Sequence, residues 1–209
     1  MKKILFLSAL AVGLASADTI AVYNTGTDAG GTLVTMSSIT AHWTLVSQPV
    51  GGLGTVGSSP YRYKHPAYFG NETASAWVSP TASGSTGVQG DYLYRLNFNI
   101  GPGLNPASAV ISGMFGLDNS GTISLNGGAP AATLTYGLPA FNTLHAFSFT
   151  SGFVSGNNYI DVLLNNVDDP GAFRVEFTQA QAAAVPEPSA AILSAGTAAA
   201  LLFIRRRKA

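Results

Sequence analysis

Histidine and cysteine set the first limits on chemistry. The chain has three histidines, His42, His65 and His145, and none stands beside another at metal-ligand spacing. His42, next to Trp43, reads as a strand histidine near the surface. There is no cysteine, which excludes a disulfide framework, a Cys-ligated zinc site and a thiolate nucleophile. The sequence contains no Gly-x-Ser-x-Gly elbow, no His-Glu-x-x-His, no phosphate-binding loop and no EF-hand spacing. Gly52, Gly54 and Gly57 match a dinucleotide fingerprint in spacing, but they lead into Ser58-Ser59-Pro60-Tyr61 and not into a helix. Phosphate cradling needs a helix N-terminus at that point, so the stretch reads as a flexible loop. No pair of carboxylates stands out for glycosidic cleavage.

Two groups of residues are suited to binding. The first is the run from Pro60 to Phe69, which holds Tyr61, Arg62, Tyr63, Lys64, His65 and Tyr68. Sugar rings stack their C–H faces on aromatic planes, and Arg or Lys binds hydroxyls or uronate carboxylates. Alternation places Tyr61, Tyr63 and His65 on one side of a strand and Arg62 and Lys64 on the other. Trp77 either joins this patch or packs in the core. The alternative for the whole run is a strand whose tyrosines pack inward while its bases face water. The second group is acidic: Asp118 with Asn119, and Asp168 with Asp169. Calcium takes six to eight oxygens, some from backbone carbonyls, and such turns supply them. Ordinary Asx-turn chemistry explains the same residues.

The elements that must hold these groups are strands. Tyr92, Tyr94, Leu96, Phe98 and Ile100 alternate with Leu93, Arg95, Asn97 and Asn99, the period of a half-buried strand. Ile160, Val162 and Leu164 alternate in the same way, as do Phe173, Val175 and Phe177 with Arg174 and Glu176 facing outward. Shorter strands are expected at 19–24, 41–47, 76–79, 109–115, 121–126 and 143–150. Gly, Pro, Asn and Asp clusters separate them, among them Gly101-Pro102-Gly103 and Asp168-Asp169-Pro170-Gly171. Many short strands at this spacing predict an all-β antiparallel sandwich.

The net charge of zero conceals a segregation. Lys2 and Lys3 lie at one end and Arg205, Arg206, Arg207 and Lys208 at the other. Residues 18–184 carry four bases against nine acids, a formal charge of −5. An acidic body argues against a nucleic-acid partner, whose binding rests on phosphate neutralisation. The two ends read as addresses. Met1-Lys2-Lys3, an apolar stretch from Ile4 to Leu14, and Ala15-Ser16-Ala17 have the layout of a secretory signal cut after Ala17. At the other end, Pro186-Glu187-Pro188 is stiff and extended. Residues 189–204 are uncharged and apolar, and the basic cluster after them stays cytoplasmic by the positive-inside rule.

The Pro186-Glu187-Pro188 motif, the apolar stretch and the terminal Arg cluster together resemble the PEP-CTERM sorting signal of Gram-negative bacteria. The likeness covers about the last 25 residues. It implies processing by exosortase at or near the motif, transient anchoring in the inner membrane, and residence at the cell surface or in an exopolysaccharide matrix. A second likeness runs through Asp118-Asn119-Ser120-Gly121, the strand to Asn126-Gly127, Ala146 to Phe149, Ser155-Gly156-Asn157-Asn158, and the strand ending in Asn165-Asn166. This stretch is similar to jelly-roll, galactose-binding-like domains. It implies two stacked sheets with loops gathered at their ends, sugar binding, and a structural calcium as the one cofactor to consider.

The expected organisation is therefore a signal peptide at 1–17 and a β-sandwich at 18–180. A linker at 181–188, a transmembrane helix at 189–204 and a basic tail at 205–209 follow. Three functions fit it. The first is a secreted, non-catalytic protein sorted by exosortase that binds exopolysaccharide. The second is a structural matrix or adhesion protein working by self-association through open strand edges. The third is an enzyme on extracellular polymer, for which no acid or base can be named.

Overall fold

The long alternating segments form the centre of the molecule. The computed structural model describes residues 17–136 and 140–185. Their strands are β1 (Ala17–Thr19), β2 (Trp43–Ser47), β3 (Tyr61–Arg62), β4 (Val78–Ser79), β5 (Gly90–Ile100), β6 (Val110–Asp118), β7 (Ser120–Leu125), β8 (Pro130–Leu134), β9 (His145–Phe149), β10 (Gly156–Asn166) and β11 (Ala172–Ala183). The strands pair antiparallel into two sheets. One has the order β3-β4-β11-β6-β9, with β1 added beside the end of β11; the other has the order β2-β5-β10-β7-β8. A short 3-10 turn at Pro106–Ser108 is the one helical element among the described residues.

The alternation in the sequence becomes an inside and an outside. Tyr92, Tyr94, Leu96, Phe98 and Ile100 of β5 are buried, as are Ile160, Val162 and Leu164 of β10. These strands pair along their full length, from Gly156 opposite Ile100 to Asn166 opposite Gly90. The inward side chains meet Phe173 and Val175 of β11, Ile111 and Phe115 of β6, and Phe147 and Phe149 of β9 in one continuous core. Phe173 is a junction between the sheets. Its ring lies 4.4 Å from that of Tyr94 and 5.4 Å from that of Trp43. Two antiparallel sheets closed over a shared apolar layer make a β-sandwich.

The pattern departs from expectation on β11. Arg174, expected to face water, is 1% exposed. The outer face of its sheet is roofed by residues 63–77, and a second, smaller cluster forms there from Tyr68, Trp77 and Ala172 with Phe69, Phe141 and Leu144 packed against it. The roof is tied down through the Arg174 guanidinium. Nε donates to Ser75 Oγ at 2.6 Å, while Nη2 donates to the Asn71 carbonyl at 2.6 Å and to Glu176 Oε2 at 3.0 Å. Nη1 reaches the Phe69 carbonyl at 3.4 Å.

Other differences lie at edges. The strand expected at 19–24 ends at Thr19. Beyond it the chain is held by Ile20 N–H donating to the Ala180 carbonyl and by Asn24 Oδ1 accepting from Phe177 N–H. Strand β8 has no counterpart in the expected set. It begins at a proline, which suits an edge strand, and only Leu134 of its five residues is buried. Strand β11 runs to Ala183, past the expected boundary at 180, and Ala184 bridges to Leu104. Ala17, the last residue of the expected signal, pairs with Ala183 in the sheet. The rest of the signal with Ala15, the Pro186-Glu187-Pro188 motif, the expected membrane helix and the basic cluster lie outside the described residues.

Replacing Arg174 by Met is expected to cost about 3 kcal/mol of stability. It removes the donors that hold Ser75 Oγ and the Asn71 carbonyl and leaves Glu176 without its cation, and breaking a largely buried charged network costs in this range. Urea unfolding measures this. Arg174→Lys should recover less than half, because an ammonium cannot fork to acceptors on opposite sides. A loss below about 1 kcal/mol for the Met variant would remove the guanidinium from the centre of this account.

Candidate functional site

Four chain segments converge at one end of the sandwich. Strand β6 ends there at Asp118, and Asn119 makes the step into β7. The loop from β10 to β11 brings Asp168, Asp169 and Pro170. The roof brings His65, Ala67 and Tyr68. The stretch after β8 brings Tyr136, and the approach to β9 brings Phe141. Together they line a cleft of about 590 Å³. Both acidic turns singled out in the sequence therefore meet in one place, beside a tyrosine from the aromatic run.

Hydrogen bonds organise the floor. Tyr68 Oη donates to Asp118 Oδ2 at 2.8 Å. Asn119 Nδ2 donates to Asp118 Oδ1 at 2.9 Å and to Asp168 Oδ1 at 3.0 Å. Asn119 Oδ1 accepts from Val167 N–H at 2.8 Å, which locks the side-chain amide in this orientation. Asp169 accepts from Ser85 Oγ at 2.5 Å and from both the backbone and hydroxyl of Thr86, at 2.8 and 2.7 Å. Burial pushes the Asp118 carboxyl from its ordinary 3.8 up to about 6; the Tyr68 hydrogen bond and His65 oppose the rise, and the Asp168 charge adds to it. Burial, followed by the charge of Asp118, also holds the Tyr68 phenol far above its ordinary value. Burial raises Asp169 too, but the donors from Ser85 and Thr86 together outweigh it and hold the carboxyl low.

The donor set does not fit calcium. Both Asp118 oxygens and both Asp169 oxygens already accept hydrogen bonds from fixed protein donors. Among the described residues no three His, Asp or Glu side chains are grouped so as to hold a metal ion. Asp118, Asn119, Asp168 and Asp169 form a hydrogen-bonded turn cluster, as Asx chemistry would have it. The pair also lacks the form of a glycosidase site. There, two carboxyl groups flank the scissile bond. Here the Asn119 amide sits between Asp118 and Asp168 and donates to both.

The aromatic run does not stay together. Tyr61, half-buried, lines a separate apolar groove of about 430 Å³ with Ile39, Leu45, Leu53 and Pro80. Arg62 is committed: Nη2 donates to Glu72 Oε2 at 2.9 Å, and Nη1 to the Val34 carbonyl. Tyr63 packs against Gly84, where a Cβ would lie 2.3 Å from the ring; that glycine also has φ +84°. Lys64 is exposed and does not line the cleft. Trp77 is fully buried and its indole N–H donates to the Phe69 carbonyl at 3.1 Å. Of the residues singled out for glycan binding, Tyr68 reaches the cleft with its neighbour His65, and Tyr61, Arg62, Tyr63, Lys64 and Trp77 do not line it. Its exposed aromatic surface comes instead from Tyr136, which is 69% exposed. Tyr136 stands alone in a Thr-Tyr-Gly stretch with no periodic pattern to mark it.

The cleft lies far from Ala17 and Ala183. Asp118 pairs with Ala172 at the start of β11, whereas Ala17 pairs with Ala183 at its end. At about 3.3 Å per residue, the two poles are roughly 35 Å apart along that strand. The fold and site thus define a β-sandwich with an aromatic and carboxyl-lined cleft at the pole opposite Ala17 and Ala183. No family model matches the chain, and no curated protein or solved structure matches it either.

The pKa of Asp118 predicts a pH dependence. Its folded-state value lies above its unfolded one, so the fold binds this proton more tightly. The contribution is complete below about pH 4 and is lost as pH rises through about 6. Asp118→Asn lacks that loss. Relative to the natural protein, it should gain on the order of 2 kcal/mol between pH 4 and pH 7, after allowance for solvent at the cleft. Urea unfolding at the two pH values measures this, and a difference that does not change with pH would contradict it.

Proposed function

We propose that this is an exported, non-catalytic β-sandwich of the jelly-roll, galactose-binding-like type. On this reading it is sorted by exosortase through its C-terminal signal and binds exopolysaccharide at the cell surface or in the matrix. The observation that carries the binding half is the cleft with its exposed Tyr136 ring, set at the pole away from Ala17 and Ala183. A body held at the membrane by either end would present this pole outward. The strand order supports the fold type: β4-β11-β6-β9 and β5-β10-β7-β8 are two four-stranded sheets in jelly-roll sequence, with β1, β2 and β3 as additions. Sorting rests on Pro186-Glu187-Pro188, the apolar stretch and the basic cluster. The partners of this reading are exosortase, the inner membrane before processing, and a polysaccharide afterwards.

Self-association is the second reading, and one feature favours it. Ile39, Leu53 and Val56 are each more than half exposed around the apolar groove that Tyr61 lines. Surface of this kind is common at contacts between proteins.

The test uses the full chain in detergent, retained on the producer's own exopolysaccharide. Tyr136→Ala should lower retention at least fivefold, and Leu53→Asp should leave it unchanged. Sedimentation that instead shows concentration-dependent oligomers abolished by Leu53→Asp, with no retention, would favour the second reading. In cells, replacing Pro186, Glu187 and Pro188 by Ala should leave the tail uncut and the protein in the inner membrane. Release of unmodified full-length protein would overturn the sorting half.

A further inference from the structure

The cleft has a charge of definite sign. Three of the four bases in the body are tied into ion pairs, Arg62 with Glu72, Arg95 with Asp161 and Arg174 with Glu176. None of them lines the cleft, and neither does Lys64. Its lining carries Asp118, Asp168 and Asp169 against His65 alone. Asp168 stands exposed at the rim, with Oδ1 bound to Asn119 and no donor to Oδ2 among the described residues.

A second observation points the same way. Asp168 and Asp169 also line a smaller adjoining hollow of about 180 Å³, together with Thr86, Val88 and Asn166. Asn166 is 2% exposed. Its Nδ2 donates to Thr86 Oγ1 at 2.8 Å, but its Oδ1 is buried with no hydrogen-bond partner. Such an acceptor is costly to leave unpaired. The cleft and this hollow, which share Asp168 and Asp169, therefore hold an excess of acceptors and of negative charge, beside an exposed aromatic ring. A polyuronate or sulfated chain would bring more of both. An ammonium group brings three donors, no acceptor and a positive charge.

We propose that the cleft takes the cationic amino-sugar units of a polysaccharide, the ring stacked on Tyr136 and the ammonium held at Asp168 and the hollow behind it. The inference rests on the glycan-binding reading and specifies its ligand.

The probes are three hexamers: glucosamine, N-acetylglucosamine and galacturonate. The full chain in detergent is titrated with each at low salt. The glucosamine hexamer should bind at least tenfold more tightly than its acetylated form, and galacturonate not at all. Asp168→Asn keeps an acceptor for Asn119 and should weaken glucosamine binding at least fivefold. Asp18→Asn, which removes a carboxylate at the opposite pole, should leave it unchanged. Equal binding of the free and acetylated hexamers, a preference for galacturonate, or equal losses from Asp168→Asn and Asp18→Asn would each overturn the inference. The glycan reading would survive those results. No binding of any hexamer while the natural exopolysaccharide is still retained would also overturn the inference alone. Loss of retention as well would overturn the reading beneath it.

Discussion

The guanidinium of Arg174 decides what the outer face of one sheet becomes. A strand in a two-layer sandwich leaves every second residue to solvent. A planar group with five donors in a rigid fork can instead collect carbonyls and hydroxyls from a loop and hold it against the sheet. Here it collects Phe69, Asn71 and Ser75, and the loop so held brings Trp77 and Tyr68 down onto Ala172. The sandwich gains a third, partial layer. Tyr68 then meets Asp118, and the floor of the cleft exists because of that meeting. The arginine is thus a structural residue on which the functional surface stands, with no contact to the cleft itself.

Sequence reading succeeded where burial is governed by period. The inward rows of β5 and β10 are the residues that alternation selects, because both strands sit between neighbours with one face on the core. It failed where a long-range contact overrides the period. Arg174 looks outward by parity and is buried by a roof some hundred residues earlier in the chain. The same reason explains the candidate site. Asp118 and Asp168 are visible as acidic turns, but nothing local says that one asparagine amide spans them. That amide occupies one oxygen of Asp118 and one of Asp168, where a calcium ion would need its ligands. Tyr61 and Tyr63 are adjacent in pattern, yet the chain leaves β3 after Arg62 and sends Tyr61 to the groove and Tyr63 onto Gly84. Tyr136 has no pattern at all, since an exposed ring beside a turn obeys no period.

The electrostatics follow from the same economy of bases. With so few cations in the body, each one used to fix a loop or a strand pair is lost to the surface. Arg95 illustrates this on the other sheet: it forks onto Asp161 at 2.7 and 2.8 Å and lies 3.7 Å over the Tyr159 ring. The acidic character of the cleft is as much a result of where the arginines are spent as of where the aspartates lie.

The position of β11 has a kinetic meaning. It is the last strand among the described residues, yet it lies inside its sheet, between β4 and β6, and its far end pairs with β1. The sheet therefore has a gap at its middle until residue 183 is available. Most native contacts join segments distant in sequence, a topology that folds slowly because loop closure precedes reward. A chain made from its N-terminus cannot complete this sheet while β11 is still to come. The sheet stays open until that strand arrives, so synthesis and folding are separated in time by topology alone.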